Sequence, residues 1–510
     1  MLKQPIILAL FFYTTCMLGQ LNPQSKKITE KFFPDADFIE DITPALQKKK
    51  GFTDYEELTS YLEMLVAQHP EKIQLSYIGE SQKGKQIPMV RLTNTNSNEK
   101  LKVWIQGGLH GDEPASTEGV LYLLNKLLND SKYTYLLDSL DLAVIPMANI
   151  DGYLKQDRYA ANGLDLNRDQ TKLMASETLV IKKAFTDFNP ELGLDFHEYR
   201  PYRKDFVRMS SFGITSAYDA MFLYSGNLNV PENLRTLTNT LFVENARKVL
   251  ENNGLRQHDY ITTQTYGGQI HFNQGSNNAR SSATNYALNN MISTLFEIRG
   301  VGIGRTSFKR RINVTFLIAI NYLETAYNNI ALVKEEIAKA NSLNNDAIVT
   351  SSKTIYTSSI QTIDLDTNDL IDLEITIRDA LQSKPELVRK RPKAYVIDKN
   401  QAEIIEKLKI LGITIESLSE DTELEVESFT VSEYQRDSEK YEKMNLQTVE
   451  TVLNSEKLSF PQGTFKIPMN QKRANLIIEL LEPEAPNSFV SFGVLETEKL
   501  DTLPIYRLLN

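Results

Sequence analysis

The chain has 510 residues, 41% of them hydrophobic and 24% charged, with 56 Lys+Arg against 66 Asp+Glu and a formal net charge of −10. This is more than one average domain with the composition of a soluble globular protein, so two folded units are expected. A net negative chain with no basic run excludes a binder of phosphate backbones and sets nucleic acid aside as a partner.

Residues 1–20 differ from everything after them. Lys3 supplies a positive start, 6–18 is mostly apolar, and polar Leu21-Asn22-Pro23-Gln24 follows. This predicts a cleaved signal peptide and a secreted or periplasmic protein. The apolar part is too short for a membrane span, and no other segment is long and apolar enough for one. The single cysteine, Cys16, lies inside it, so the processed chain is expected to have neither a disulfide nor a Cys-based zinc site. Tyr13-Thr14-Thr15-Cys16 is a poor match to a lipoprotein box.

Residues 21–50 read as a polar, lysine-rich arm that packs on the next unit. Tyr55, Leu58, Tyr61, Leu62 and Leu65 fall at helical spacing within 53–68. Strands are predicted over 73–78, 87–92 and 101–105, a helix over 120–128, and a continuous apolar strand over 140–147. The segment 156–168 reads as polar loop, 177–188 as helix, 191–196 as strand and 237–253 as a long helix. Residues 267–280, rich in Gly, Asn and Gln, read as loop. An apolar strand over 291–298 and a closing helix over 320–339 complete a unit spanning 51–340. Alternating strands and helices predict an α/β fold, with a mixed, mostly parallel sheet covered by helices on both faces. Polar, turn-rich residues open a boundary region, 341–390. A second, smaller α/β unit is expected over 391–510, with strands near 393–397, 413–417, 423–431 and 458–467 and helices near 401–411 and 471–481.

The chemistry starts at Gly107-Gly108-Leu109-His110-Gly111-Asp112-Glu113-Pro114. It follows a predicted strand and precedes a predicted helix, so His110 and Glu113 sit at a strand's carboxyl end, where open α/β sheets place ligands. Pro114 fixes where the helix begins. An imidazole and a carboxylate are two of the three protein ligands that a catalytic zinc needs. Taken alone, the four letters fit equally a turn histidine beside a glutamate favoured by the helix amino end.

The chain has five histidines, and His197, like His110, falls at the carboxyl end of a predicted strand. With Glu113 they form a His₂Glu set that leaves a fourth position for water. His69, before Pro70, reads as surface; His258 and His271 read as loop residues rather than ligands. Glu297 ends an apolar strand, where a carboxylate is costly unless paired or functional. It is either an ion-pair partner of Arg299 or of another arginine, or a general base. Arg158 and Arg168 carry the planar fork that grips carboxylates, although each alone fits a surface arginine.

Read in order, His110-x-x-Glu113, Asn149-x-Asp151-Gly152-Tyr153, Arg158, Gly163-x-Asp165-x-Asn167-Arg168, His197 and Phe296-Glu297-x-Arg299-Gly300 resemble the zinc carboxypeptidase family of metallopeptidases, which includes the pancreatic carboxypeptidases. The resemblance spans about 52–335 and includes an Ile78-Gly79-x-Ser81-x-x-Gly84 turn. It implies an α/β sandwich around a mixed sheet. It implies one zinc per chain held by His110, Glu113 and His197, with Asp165 orienting His110. Glu297 would activate the attacking water and pass its proton to the leaving amine. Arg158 would stabilise the oxyanion, and Asn167 and Arg168 would hold the substrate's terminal carboxylate. The family's mobile tyrosine has no clear counterpart: Phe272 falls near its place, Tyr266 and Tyr286 lie nearby, and Tyr286 is the substrate-binding choice. Arg280 reads either as a pocket residue or as surface.

The expected function is removal of carboxy-terminal residues from peptides with a free terminal carboxylate. A peptidoglycan stem-peptide hydrolase using the same zinc site is the alternative. An inactive peptide- or glycan-binding relic is a third reading, disfavoured because ligands, base and both arginines are all present. Nothing in the sequence sets an oligomeric state.

Overall fold

The computed structural model describes residues 24–94, 100–211 and 213–509; the signal-peptide expectation, with Cys16, lies outside them. Among the described residues, one sheet has eight strands in the order Ile73–Glu80, Gln86–Leu92, Leu140–Ile145, Leu101–Gln106, Leu192–Tyr199, Ile292–Arg299, Ala220–Leu223 and Gln257–Asp259. The four strands from Leu140–Ile145 to Ile292–Arg299 pair in parallel, and the Gln86–Leu92 and Ala220–Leu223 strands flank them antiparallel. Every residue of Leu140–Ile145 and of Leu192–Tyr199 is buried. That is why these strands read as continuous apolar runs: helices cover a parallel sheet on both faces.

The covering helices follow from local signals. Pro114–Asn129 starts at its proline. It crosses Phe308–Asn328 so closely that a Cβ on Gly119 would lie 2.5 Å from Thr315. On another side, Ser176–Phe188 presents Phe185 edge-on to Trp104, with ring centroids 5.4 Å apart. Burying one such large apolar side chain is worth roughly 1.5–3 kcal/mol, so the stacked layers supply most of the driving force. Tyr55–Gln68 opens on a reciprocal capping box between Asp54 and Glu57.

The amino-terminal arm is pinned at several points, two of them around buried groups. Glu118, buried in the Pro114–Asn129 helix, accepts from the Thr43 and Thr53 hydroxyls and from the Ala45 N–H. Gln24 accepts from Arg299, whose guanidinium lies 4.1 Å over the Phe33 ring.

Several elements differ from the sequence expectation. The boundary region 341–390 holds a long antiparallel hairpin, Ser351–Asp364 and Leu370–Pro385. It joins Ile214–Ser216, Ile261–Tyr266 and Gln269–Gln274 in a five-stranded sheet. The Ser/Thr-rich alternation there resembles turn composition but serves a sheet with one wetter face. Within the expected loop 267–280, Gln269–Gln274 is strand and the turn narrows to Gly267-Gly268, both with positive φ. His258 and His271 therefore sit on strands, not loops.

Beyond residue 390, six strands form a further sheet, flanked by Ala402–Ile410 and Ala474–Leu481. Its longest element, Thr422–Tyr441 paired with Met444–Phe460, turns at Glu442-Lys443, both with positive φ, the geometry of a tight hairpin turn. Ala474–Leu481 is buried throughout. Its apolar residues belong to the same continuous core cluster as Trp104 and Phe196, so the two units share one interior. No helix among the described residues is long and apolar enough to cross a membrane.

Candidate metal centre and substrate cleft

The 107–113 turn is held by contacts that exclude larger residues. A Cβ on Gly107 would lie 2.7 Å from the Ser116 carbonyl, and one on Gly111 would lie 2.1 Å from the Gly152 backbone. Gly108, at φ +63°, donates its N–H to Ser116 Oγ, which donates to the Glu113 carbonyl. The turn is thereby pressed onto the 149–157 segment, and His110 and Glu113 are driven inward. Both are buried, as is His197 at the end of the Leu192–Tyr199 strand.

The three side chains converge. His110 Nδ1 lies 2.7 Å from Glu113 Oε1, and His197 Nδ1 lies 2.9 Å from Glu113 Oε2. The two Nδ1 atoms are 3.1 Å apart. One ligand atom from each residue falls within 4.8 Å of the others. Each ring has an acid behind it: His110 Nε2 is hydrogen-bonded to Asp165 Oδ1 at 3.1 Å, and His197 Nε2 lies 3.1 Å from Asp195 Oδ2, close but not in well-directed hydrogen-bond geometry. These carboxylates keep the far nitrogens protonated and turn the Nδ1 lone pairs toward the centre. Glu113 Oε2 is buried and takes no well-directed hydrogen bond from the described residues. Three buried acceptors aimed at one point suit a divalent cation, and the His₂Glu donor set suits zinc.

The electrostatics agree. Burial pushes the His197 imidazole down, but Asp195 and Glu113 outweigh it and hold it well above its ordinary range. Burial pushes Glu113 up, and the two histidines reverse this and hold it far below the usual carboxylate range. The centre favours positive charge in either description.

Arg158 grips Asp165 with Nη2 at 2.8 Å and Nε at 3.1 Å, and its Nη1 lies 3.7 Å from Glu113 Oε1. Its guanidinium is thus aimed at the centre. Asn167 Oδ1 accepts from the Ser282 N–H at 2.8 Å, which leaves its NH₂ as a donor. Arg168 Nη1 donates to the Asn167 carbonyl. Arg158, Asn167, Arg168, His110 and Glu297 line one cavity of about 480 Å³, the size of a small-ligand site.

Glu297 pairs in register with His197 across two parallel strands. Burial pushes its carboxyl up to about 7, with Glu113 pushing the same way. Arg299 does not neutralise it. That guanidinium is spent on Gln24, Thr215 and the Ser216 carbonyl, so Arg299 is not the ion-pair partner of Glu297.

Tyr286 is a correction. Its ring stacks on Phe185 with centroids 4.4 Å apart, its hydroxyl donates to Gln106, and it does not line the cavity. Placement within Ser282–Ala287 turns it to the sheet's covered side. Tyr266 is also outside the cavity; its ring carries the Arg378 guanidinium at 3.9 Å. The tyrosines that do line the cleft are Tyr199, Tyr218 and Tyr260, and Phe272 lines it too. Burial raises the Tyr260 phenol, and the Glu297 charge adds to this.

Sequence reasoning missed Tyr260 and Asp195. Asp195 had a signal: it stands two residues before His197 on a strand, hence on the same face. It also left Arg280 between pocket and surface; Arg280 lines the cavity, together with Lys353 from the hairpin in the expected boundary region. The 432–457 hairpin was not anticipated at all. Its tip places Tyr441 under the Arg280 guanidinium at 4.9 Å, and Glu442 Oε2 accepts from the Asp165 N–H at 3.0 Å.

A sequence model described as "Zinc carboxypeptidase" matches residues 58–302. The protein "Carboxypeptidase 2" of Trichophyton rubrum is 32% identical over 446 residues, covering 84% of this chain and 81% of that one. Its namesake in Trichophyton tonsurans is 31% identical over 445 residues, with the same coverage. Among solved structures, the metallo-carboxypeptidase from Burkholderia cenocepacia aligns with a TM-score of 0.43 at 17% identity, covering 54% of this chain and 70% of that one. Similarity over most of the length of both proteins, joined to a site with the matching donor set, makes this chain a metallocarboxypeptidase of the zinc carboxypeptidase family.

Proposed function

We propose that the enzyme removes single residues from the free carboxyl end of peptides outside the cytoplasm, with Glu297 as its base. The observation that carries this reading is the pairing of Glu297 with His197 beside the three converging ligand atoms. Zinc, when bound by His110, Glu113 and His197, supplies Lewis acidity to the scissile carbonyl and the attacking water.

The chain's own groups do the rest. Glu297 takes a proton from the water whose oxygen bonds to the scissile carbon, and it delivers that proton to the nitrogen of the leaving amine as the C–N bond breaks. Arg158 donates from its Nη1 side to the carbonyl oxygen as that oxygen gains charge. Arg168 and the free Asn167 NH₂ hold the terminal carboxylate and set which bond reaches the base. Removal from a peptidoglycan stem peptide would use the same groups, so substrate comparison separates the two readings.

The test is release of free amino acid by the zinc-loaded protein from peptides with a free or an amidated carboxyl end, and from muropeptides. Zinc-dependent release from free-ended peptides alone supports the proposal. Equal cleavage of amidated and free substrates, or cleavage of muropeptides only, contradicts it.

A further inference from the structure

The cleft wall carries six cationic side chains: Arg158, Arg168, Arg200, Arg203, Arg280 and Lys353. Three have an acid of their own. Arg158 pairs with Asp165, Arg200 lies 3.9 Å from Asp112, and Arg203 lies 3.3 Å from Asp205. Among the described residues, Arg168, Arg280 and Lys353 have no such ion pair; Lys353 donates to Asn273 instead. Arg168 is already assigned to the substrate's terminal carboxylate.

Arg280 is the unexplained one. Its backbone is tied on both sides, donating to Asn487 and accepting from Gln170. Its guanidinium rests on the Tyr441 ring, and its Nε is buried with no hydrogen-bond acceptor. Burial lowers its pKa and the nearby Arg168 lowers it further, against weaker opposing pulls from Tyr441, Asp165 and Glu442. Arg280 and Arg168 share the cleft and repel each other, Asp165 that attracts both is already gripped by Arg158, and Arg280 keeps an unsatisfied buried donor; a ligand bringing two negative groups relieves both costs.

We propose that Arg280 is the specificity-determining residue and that the enzyme takes peptides ending in an acidic residue. This rests on the carboxypeptidase reading above. The terminal carboxylate sits on Arg168 and the side-chain carboxylate on Arg280. Tyr441, delivered by the carboxy-terminal unit's hairpin, positions the Arg280 fork. Lys353 adds charge of the same sign farther along the wall.

The test compares kcat/KM for two peptides identical except for a terminal Glu or Gln, using the zinc-loaded full-length chain, then Arg280→Gln and Tyr441→Ala. The wild type is expected to favour Glu by roughly thirtyfold or more, the scale of a charge-assisted pair in a desolvated pocket. Arg280→Gln should bring the ratio close to parity through loss on the Glu substrate, and Tyr441→Ala should lower it partway. A wild type without preference overturns the inference while leaving the carboxypeptidase reading intact, and it needs no variant to fold. Equal losses on both substrates in Arg280→Gln also overturn it, since Arg280 would then serve the terminal carboxylate. Failure to hydrolyse either peptide, or any other with a free end, overturns the underlying reading and the inference with it.

Discussion

Glu297 and His197 are registered partners on adjacent parallel strands, one beside the other. Neighbouring strands run about 4.8 Å apart, so the sheet itself sets the distance between proposed base and ligand. Phe196 and Phe296, one residue earlier on each strand, stack with centroids 4.9 Å apart and lock the register from the opposite face. A one-residue slip of either strand would turn its functional side chain to the opposite face.

Asp195 is expected to tune metal affinity through His197 Nε2, 3.1 Å away. Asp195→Asn should weaken zinc binding by roughly 10–100-fold, read by competition with a chelator, while the folded state persists. Unchanged affinity would show that the His197 ring is oriented without it.

Arg168 should act on the substrate's end and not on the reaction. Arg168→Ala is expected to lower kcat/KM for free-ended peptides by roughly 10²-fold or more, the cost of losing one partner of a desolvated charge pair. Most of the loss should appear in KM. A loss confined to kcat would count against the assignment.

Gly111 is fixed by space. A Cβ there would stand 2.1–2.3 Å from backbone atoms of Gly152, Asp157 and Tyr153, and backbone cannot yield cheaply. Gly111→Ala should displace the turn, cost roughly 1–3 kcal/mol or more of stability and lower zinc stoichiometry. Full zinc content with an unchanged melting temperature would contradict the packing described.

Glu479 links stability to pH. It is buried at the junction of the two units and accepts from Asn227 and Asn229, and burial raises its carboxyl to about 7. A raised carboxyl favours the protonated folded state. Its contribution is therefore full below the ordinary value of 4.5 and is lost as pH rises through about 7. That loss amounts to roughly 3 kcal/mol at most. Glu479→Gln should flatten this decline in denaturant titrations between pH 4 and 8, roughly the window those two values span. A variant with the same slope as wild type would remove Glu479 as the source.

What could be read from the sequence depended on how a residue's setting shows in its neighbours. His110 and Glu113 follow a buried parallel strand and His197 and Glu297 lie near the ends of two more, and such strands announce themselves as apolar runs. The Ser351–Asp364 strand and the outer end of Thr422–Tyr441, beyond 431, carry mostly partly buried and exposed residues, so polar residues dominate there and imitate loop. Tyr286 was misplaced because nearness in sequence to the base strand does not say which face of a short helix meets the cleft. Tyr260 reached the cleft only through pairing between distant strands, and Tyr441 through a hairpin tip from the other unit. Neither leaves a local pattern.

The most direct measurement is on Glu297→Gln: zinc content and turnover of a free-ended peptide, side by side with wild type. The isosteric amide keeps the ligand set of His110, Glu113 and His197 but cannot take a proton from water. Zinc should remain stoichiometric while kcat falls by roughly 10³-fold or more, the span of a general base and the nucleophile it activates. Turnover near the wild-type rate with zinc in place would contradict the account at its centre.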